Sequence, residues 1–313
     1  MPFIYLLDMS LIYLKPLGGL GNRLRTILAG LQLAQKTCRR LTIIWERKAE
    51  LNAAYQQLFQ PHPAFGVIET EALRWPRLRE WVRRDGFYSF RPQPFFPGQW
   101  WPGNRCFPEA LYNDDFLPLA QALYQKGLDQ DYATFREALW QSIDQQLGAR
   151  LHSSQMLYLS TFYEFMPGVE AIGHFVPQPD IWQAVQETVG GQASLVGLHI
   201  RRGDHQQARQ YSPLKGFIEK MAQEISQNPG VVFYLATDEA AIAQQLARQY
   251  KEQLITRFRI RPRHQTAGIK EALIDLYCLA QAQRVYGSYF SSFSEMAARL
   301  GQIPEIKVGR KGP

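Results

Sequence analysis

Leu195-Val196-Gly197-Leu198-His199-Ile200-Arg201-Arg202-Gly203-Asp204 decides the fold class of this chain. The apolar half is a continuous run of strand length, as in a strand buried on both faces of a parallel sheet. It ends abruptly in a histidine, two arginines, a glycine and an aspartate. In open α/β sheets ligands bind beyond the carboxyl ends of the strands, so such a strand delivers its charges to a crevice. Two adjacent guanidiniums suit the oxygens of a phosphate or diphosphate, and Gly203 permits close backbone approach. A solvated arginine pair at a strand end fits the same residues. The flanking chain has to separate the two readings.

Downstream the pattern is regular. Tyr211-Ser212-Pro213 predicts a helix start, with the helix running to about Ser226. Val231 to Ala236 reads as a strand ending in Thr237-Asp238-Glu239, and Ala240 to Lys251 as a helix. Ile269 to Ala282 is amphipathic at helical spacing, and Arg284-Val285-Tyr286-Gly287 is a short strand. The hydroxyl-rich turn Ser288 to Ser294 then opens a last helix through Met296 and Leu300. Strands alternating with helices predict a doubly wound parallel sheet. Its polar clusters, His199 to Asp204, Thr237-Asp238, and Ser288 with Ser291 and Ser292, would all open on one edge. Asp238, Ser291 and Ser292 each have a plainer reading as helix caps. Together with the arginines they can hold a diphosphate, with Asp238 accepting from a nucleobase or ribose.

Upstream, Leu11 to Leu14 reads as a strand, followed by the turn Gly18-Gly19-Leu20-Gly21-Asn22. Leu24, Ile27, Leu28, Leu31 and Ala34 recur at helical spacing, and Leu41 to Trp45 is a second strand ending in Glu46. This βαβ unit offers a helix amino terminus to an anion. Arg23-Leu24 interrupts the glycine spacing that a dinucleotide fingerprint needs. From about Gln60 to Arg105 proline, tryptophan and arginine crowd together, predicting an irregular subdomain or an acceptor-binding surface. Leu117 to Gln146 is helical in pattern, and Asp129-Gln130-Asp131 reads as a cap or solvated turn rather than a metal site. Leu157 to Tyr163 is a further strand, and Asp180 or the prolines before it start a helix. The organisation expected is α/β, with two Rossmann-like domains facing across a cleft. Residues 1–180 form an amino-terminal, acceptor-side domain carrying the irregular insertion, and 181–313 a donor domain; a linker lies within about 165–195.

Composition narrows the classes. The formal charge is +7 and the pI near 9.3, but the basic residues are dispersed, without the aromatic-basic pattern of a nucleic-acid surface. An anionic small substrate accounts for the bias, nucleic acid is not expected as a partner, and peripheral contact with an anionic membrane stays open. The three cysteines are too few and too scattered for a disulfide framework or a zinc site. They fit a reducing cytoplasm, with Cys38 and Cys278 expected as core or half-buried thiols. The first residues lack the basic region and cleavage site of a signal peptide, and Met9 is an alternative start. No metal is expected.

His199-Ile200-Arg201-Arg202-Gly203-Asp204 resembles the His-x-Arg-Arg-x-Asp motif of the GDP-fucose-dependent fucosyltransferases, a superfamily of α1,6-, nodulation-type, α1,2- and protein O-fucosyltransferases. Leu235-Ala236-Thr237-Asp238-Glu239 is similar to that superfamily's Ala-Thr-Asp strand end. Asp275-Leu276 through Tyr286-Gly287-Ser288-Tyr289-Phe290-Ser291-Ser292 is similar to its closing segment, and Gly18-Gly19-Leu20-Gly21-Asn22 to its glycine turn. The matches run in the family's order from about Gly18 to Gly301, and nothing between about 60 and 190 matches.

The resemblance implies a GT-B architecture and an inverting, metal-independent glycosyltransferase moving fucose from GDP-fucose to a glycan or other hydroxyl acceptor. It implies Arg201 on the β-phosphate of the leaving diphosphate, with Arg202 assisting it or supporting the loop; Asp204, charged and adjacent, can orient the arginines. His199 and Asp238 would lie at the guanosine and Ser288, Ser291 and Ser292 at the diphosphate. Gly19, Gly21, Asn22 and Arg23 would approach from the other domain. Asp204, Glu46 and His205 are the candidates for the general base. A noncatalytic nucleotide- or glycan-binding protein of the same fold is the alternative.

Overall fold

The computed structural model describes residues 10–71, 110–113, 116–126, 132–154, 156–203, 206–258, 262 and 264–309. The chain forms two five-stranded, wholly parallel sheets, with all strands of the first preceding those of the second. In the first, β1 (Leu11–Pro16) is central, in the order β3-β2-β1-β5-β4. The others are β2 (Arg40–Arg47), β3 (Phe65–Glu71), β4 (Ala110–Asn113) and β5 (Met156–Thr161). In the second, β6 (Leu195–Ile200) is central, in the order β10-β9-β6-β7-β8. Its companions are β7 (Val232–Thr237), β8 (Leu254–Thr256), β9 (Val285–Ser288) and β10 (Glu305–Val308).

Helix α1 (Leu20–Thr37) covers the first sheet, and burial of Leu24, Ile27, Leu28 and Leu31 is what holds it there. Each such side chain contributes roughly 1.5–3 kcal/mol. The segment read as one long helical region is two helices, α2 (Phe116–Gln125) and α3 (Tyr132–Ser153). The stretch expected to be a linker contains α4 (Pro179–Val189), which has proline at its first turn and packs on the second half. Trp182 meets Tyr277 edge-to-face at 6.2 Å, and Lys270 pairs with Asp180 at 2.7 Å. The expected boundary at residue 180 thus falls in the first turn of α4. The remaining helices are α5 (Gln206–Tyr211), α6 (Leu214–Gln227), α7 (Ala240–Tyr250), α8 (Thr266–Ala280) and α9 (Ser292–Gly301). One apolar core runs from Ile12 and Leu159 through Phe175 to Leu273 and Met296, joining the two halves.

Two expectations change, those for Cys38 and for Ser212. Cys38 is exposed, because it is the left-handed cap of α1 at φ 50° rather than part of its apolar face. Cys278 is buried. Ser212 does not start α6: Pro213 caps it, and the Ser212 hydroxyl accepts the Tyr289 N–H at 2.8 Å. The Asp129-Gln130-Asp131 turn, Cys106 and most of the proline-rich stretch lie outside the described residues. Among the described residues no helix is long and apolar enough to cross a membrane, and no group of three metal-ligating side chains assembles.

Below the second sheet, the Tyr234 hydroxyl donates to Asp275 at 2.5 Å. Burial pushes the Asp275 carboxyl up to about 7, Glu271 adding to the shift while the Tyr234 bond and Arg257 oppose it. The folded state therefore keeps a proton that the unfolded chain releases near pH 4, so stability falls as pH rises from about 4 to 7. Asp275→Asn should remove this slope. Between pH 5 and 8 the wild type is expected to lose on the order of 2 kcal/mol more than the variant in urea titrations. Parallel pH dependences would refute the assignment.

Candidate active site

β6 carries the centre of the site. All of its residues are buried, and its register sets Ile200 beside Thr237 of β7 and His199 beside Gly287 of β9. After β8 the chain crosses to the other side of β6 to form β9, so the β6/β9 edge is a topological switch point. Crevices open at such points. The clusters expected to share an edge do share it.

Asp238 organises the arginine loop. Its Oδ1 accepts the main-chain N–H of Arg202 at 2.7 Å and of Gly203 at 3.1 Å. Its Oδ2 pairs with Arg201 Nη1 at 2.9 Å. The residue capping α7 is Glu239, with no side-chain cap bond, so the helix-cap reading of Asp238 gives way to a loop-holding role. Burial alone would raise this carboxyl. The Arg202 N–H, the Arg201 guanidinium and the Gly203 N–H outweigh burial and hold it below the usual range, so it is a carboxylate at neutral pH.

Arg202 turns inward. It is buried, its Nη1 reaches the Ala208 carbonyl at 3.5 Å, and Arg209 clamps the Arg202 and Gly203 carbonyls at 2.7 and 2.9 Å. Ala208 and Arg209 both belong to α5, a helix that the sequence pattern did not predict. Asp204 and His205 lie outside the described residues.

On the β9 side the Ser288 hydroxyl accepts the Arg201 N–H at 3.0 Å and donates to the His199 carbonyl at 3.3 Å. Ser291 Oγ is 3.2 Å from His199 Nδ1 and accepts the Phe293 N–H at 3.3 Å as the cap of α9. Ser291 is thus the cap of α9 and at the same time touches His199. Between Ser288 and Ser291, Phe290 has φ +57°, a left-handed conformation that costs of order 1–3 kcal/mol for a bulky residue.

The glycine turn of the first domain comes directly against this edge. Gly18 has φ +78°, a turn conformation favouring glycine. Gly19 caps α1 and has open space beside its Cα. A Cβ on Gly21 would lie 2.7 Å from the Ser292 carbonyl oxygen, so the first turns of α1 and α9 touch through main chain. Asn22 lines a 220 Å³ cavity with Ser291 and Ser292.

Arg23 does not reach that cavity. It is 1% exposed, donates to the Gly18 carbonyl at 2.9 Å and the Glu46 carbonyl at 2.7 Å, and lies over Trp45 at 4.7 Å. Desolvation lowers its pKa to about 10. It holds the glycine turn instead of a ligand. Glu46 is likewise spent, bridged by Lys15 at 3.0 Å and Lys48 at 2.7 Å. Burial pushes its carboxyl up, but the two ammoniums win and keep it below the ordinary range, which makes it a weak base.

The cavity also brings in residues that no motif marked, among them Arg136, Tyr163, Glu164 and Lys307. Arg136 pairs with Glu295 of α9 at 2.6 Å, and Arg299 of α9 with Glu164 at 2.8 Å, tying the two halves together. Glu164 follows the end of β5, and a survey of all strand ends would have found it. Lys307 stands in an edge strand without any such signal.

No protein-family model matches the chain, and no curated protein matches it in sequence. Solved structures do match. The fucosyltransferase NodZ from Bradyrhizobium superposes with a TM-score of 0.57 at 18% identity, over 96% of this chain and 96% of that one. The fold is that of the GT-B fucosyltransferases. NodZ α1,6-fucosyltransferase co-crystallised with GDP gives a TM-score of 0.58 at 20% identity, over 96% of this chain and 94% of that one. POFUT1 in complex with GDP-fucose gives 0.56 at 12% identity, over 97% and 99%.

Proposed function

We propose that this protein is an inverting fucosyltransferase that takes GDP-fucose as donor and a glycan or other hydroxyl as acceptor. The observation that carries this reading is the meeting of Arg201, Asp238, His199, Ser288 and Ser291 at the switch point of the second sheet, against the glycine turn of the first. Transfer breaks the bond between fucose C1 and the β-phosphate oxygen and forms one between C1 and the acceptor oxygen on the opposite face, while the acceptor hydroxyl releases its proton to solvent. The departing GDP gathers negative charge, and a preorganised guanidinium with the amino terminus of α9 can stabilise it without a metal. The α9 amides are already oriented by the Ser291 cap, so little reorganisation accompanies departure.

Thermal denaturation tests the donor. GDP in magnesium-free buffer at about a hundred times its Kd is expected to stabilise the fold by roughly 2.7 kcal/mol, a shift of several degrees. UDP, ADP and CMP at the same concentration should give much smaller shifts. Equal shifts from all four, or none from GDP, would count decisively against the reading. Stabilisation by GDP without transfer or hydrolysis of GDP-fucose would instead favour a noncatalytic binding protein.

A further inference from the structure

Lys307 stands opposite Gly287 in the register of the edge strand β10 with β9. Its ammonium donates to Glu305 Oε1 at 2.6 Å, to the Ser291 carbonyl at 3.3 Å and, at the limit of a hydrogen bond, to the Ser288 carbonyl at 3.5 Å. It therefore straps the strained turn around Phe290 from the neighbouring strand. It also lines the cavity shared by Asn22, Ser291 and Ser292. Of the arginines on this edge, Arg201 faces the site from its pairing with Asp238, and Arg202 is turned to the buried side of the loop.

We propose that Lys307 is the second cation of the diphosphate site, held in waiting by Glu305. The proposal rests on the donor reading above. A diphosphate arriving at the amino terminus of α9 competes with a single carboxylate for an ammonium on a flexible four-carbon stem. It carries more charge than Glu305, and the helix dipole adds to its attraction. Lys307 turns from Glu305 to the phosphate oxygens, and its bonds to the turn carbonyls keep it close. Glu305 thus sets the affinity of the site by competition.

Calorimetric titration of GDP and GMP into the wild type, Lys307→Met, Lys307→Arg and Glu305→Gln tests this. Lys307→Met should weaken GDP about 10- to 100-fold, as expected for a lost charge-assisted bond, and GMP by less than about threefold. Its KM for GDP-fucose should rise by a similar factor. Lys307→Arg should restore GDP binding to within about tenfold of the wild type, and Glu305→Gln should tighten it a few-fold. A Lys307→Met protein that binds GDP like the wild type overturns the proposal, as does one that loses GDP and GMP equally. If Lys307→Met does not fold, unchanged or weaker GDP binding by Glu305→Gln overturns it. A wild type that binds no GDP at all overturns the donor reading itself.

Discussion

Arg201→Ala is expected to lower kcat/KM for fucosyl transfer by about 10²–10³-fold, the usual cost of removing one preorganised donor from developing charge. The fold should survive. Arg201 and Asp238 are both partly open to solvent, with side chains 16% and 24% exposed, and an ion pair of that kind is worth no more than about 1 kcal/mol. Asp238 also keeps its bonds from the Arg202 and Gly203 main chain, so the loop retains its anchor. The melting temperature should stay within about 3 °C of the wild type, while the shift produced by GDP shrinks. Without the guanidinium, the Asp238 carboxyl moves up towards its ordinary range. Arg201→Lys should recover only part of the activity, because a single ammonium lacks the planar fork. Wild-type turnover in Arg201→Ala would end its assignment to the leaving group. Loss of activity together with loss of fold would make it a structural residue.

Strand and helix periods and the order of turns were enough to place β6, β7 and β9 in one parallel sheet. With that placement His199, Asp238 and Ser291 come together. Side-chain direction was not accessible in the same way. Arg23 follows Asn22 directly, yet helical geometry turns it towards Trp45 and Glu46 while Asn22 faces the cavity. The same limit applies to Asp238, whose identity fits a cap and a loop anchor alike until the Arg202 and Gly203 amides are seen pointing at it. Lys307 lies in β10, a four-residue edge strand after the last helix that no flanking motif marks, so the sequence did not single it out. Arg136 meets Glu295, and Glu164 meets Arg299, only because the two halves dock. No local pattern encodes such a contact.

Gly21→Ala is expected to damage both stability and turnover, against the direction that helix propensity predicts. Alanine is favoured over glycine within a helix by roughly 0.5–1 kcal/mol. Here the added methyl would stand 2.7 Å from the Ser292 carbonyl oxygen and 2.9 Å from its carbonyl carbon, both main-chain atoms in the first turn of α9. A flexible side-chain end could swing away, but a helix amino terminus held by the Ser291 cap moves only as a unit. Overpacking of this kind costs typically 1–3 kcal/mol, which corresponds to a fall of about 2–5 °C in melting temperature for a chain of this length. The functional cost should be larger still. Separating α1 from α9 shifts Asn22 relative to Ser291 and Ser292, and a misplacement of about 1 Å can lower a rate about 10²-fold. Gly19→Ala is the control for stability, because a Cβ there meets nothing within 4 Å. A Gly21→Ala protein as stable and active as the wild type would mean that the two domains part readily at this contact, and that the glycine turn is not what sets their approach.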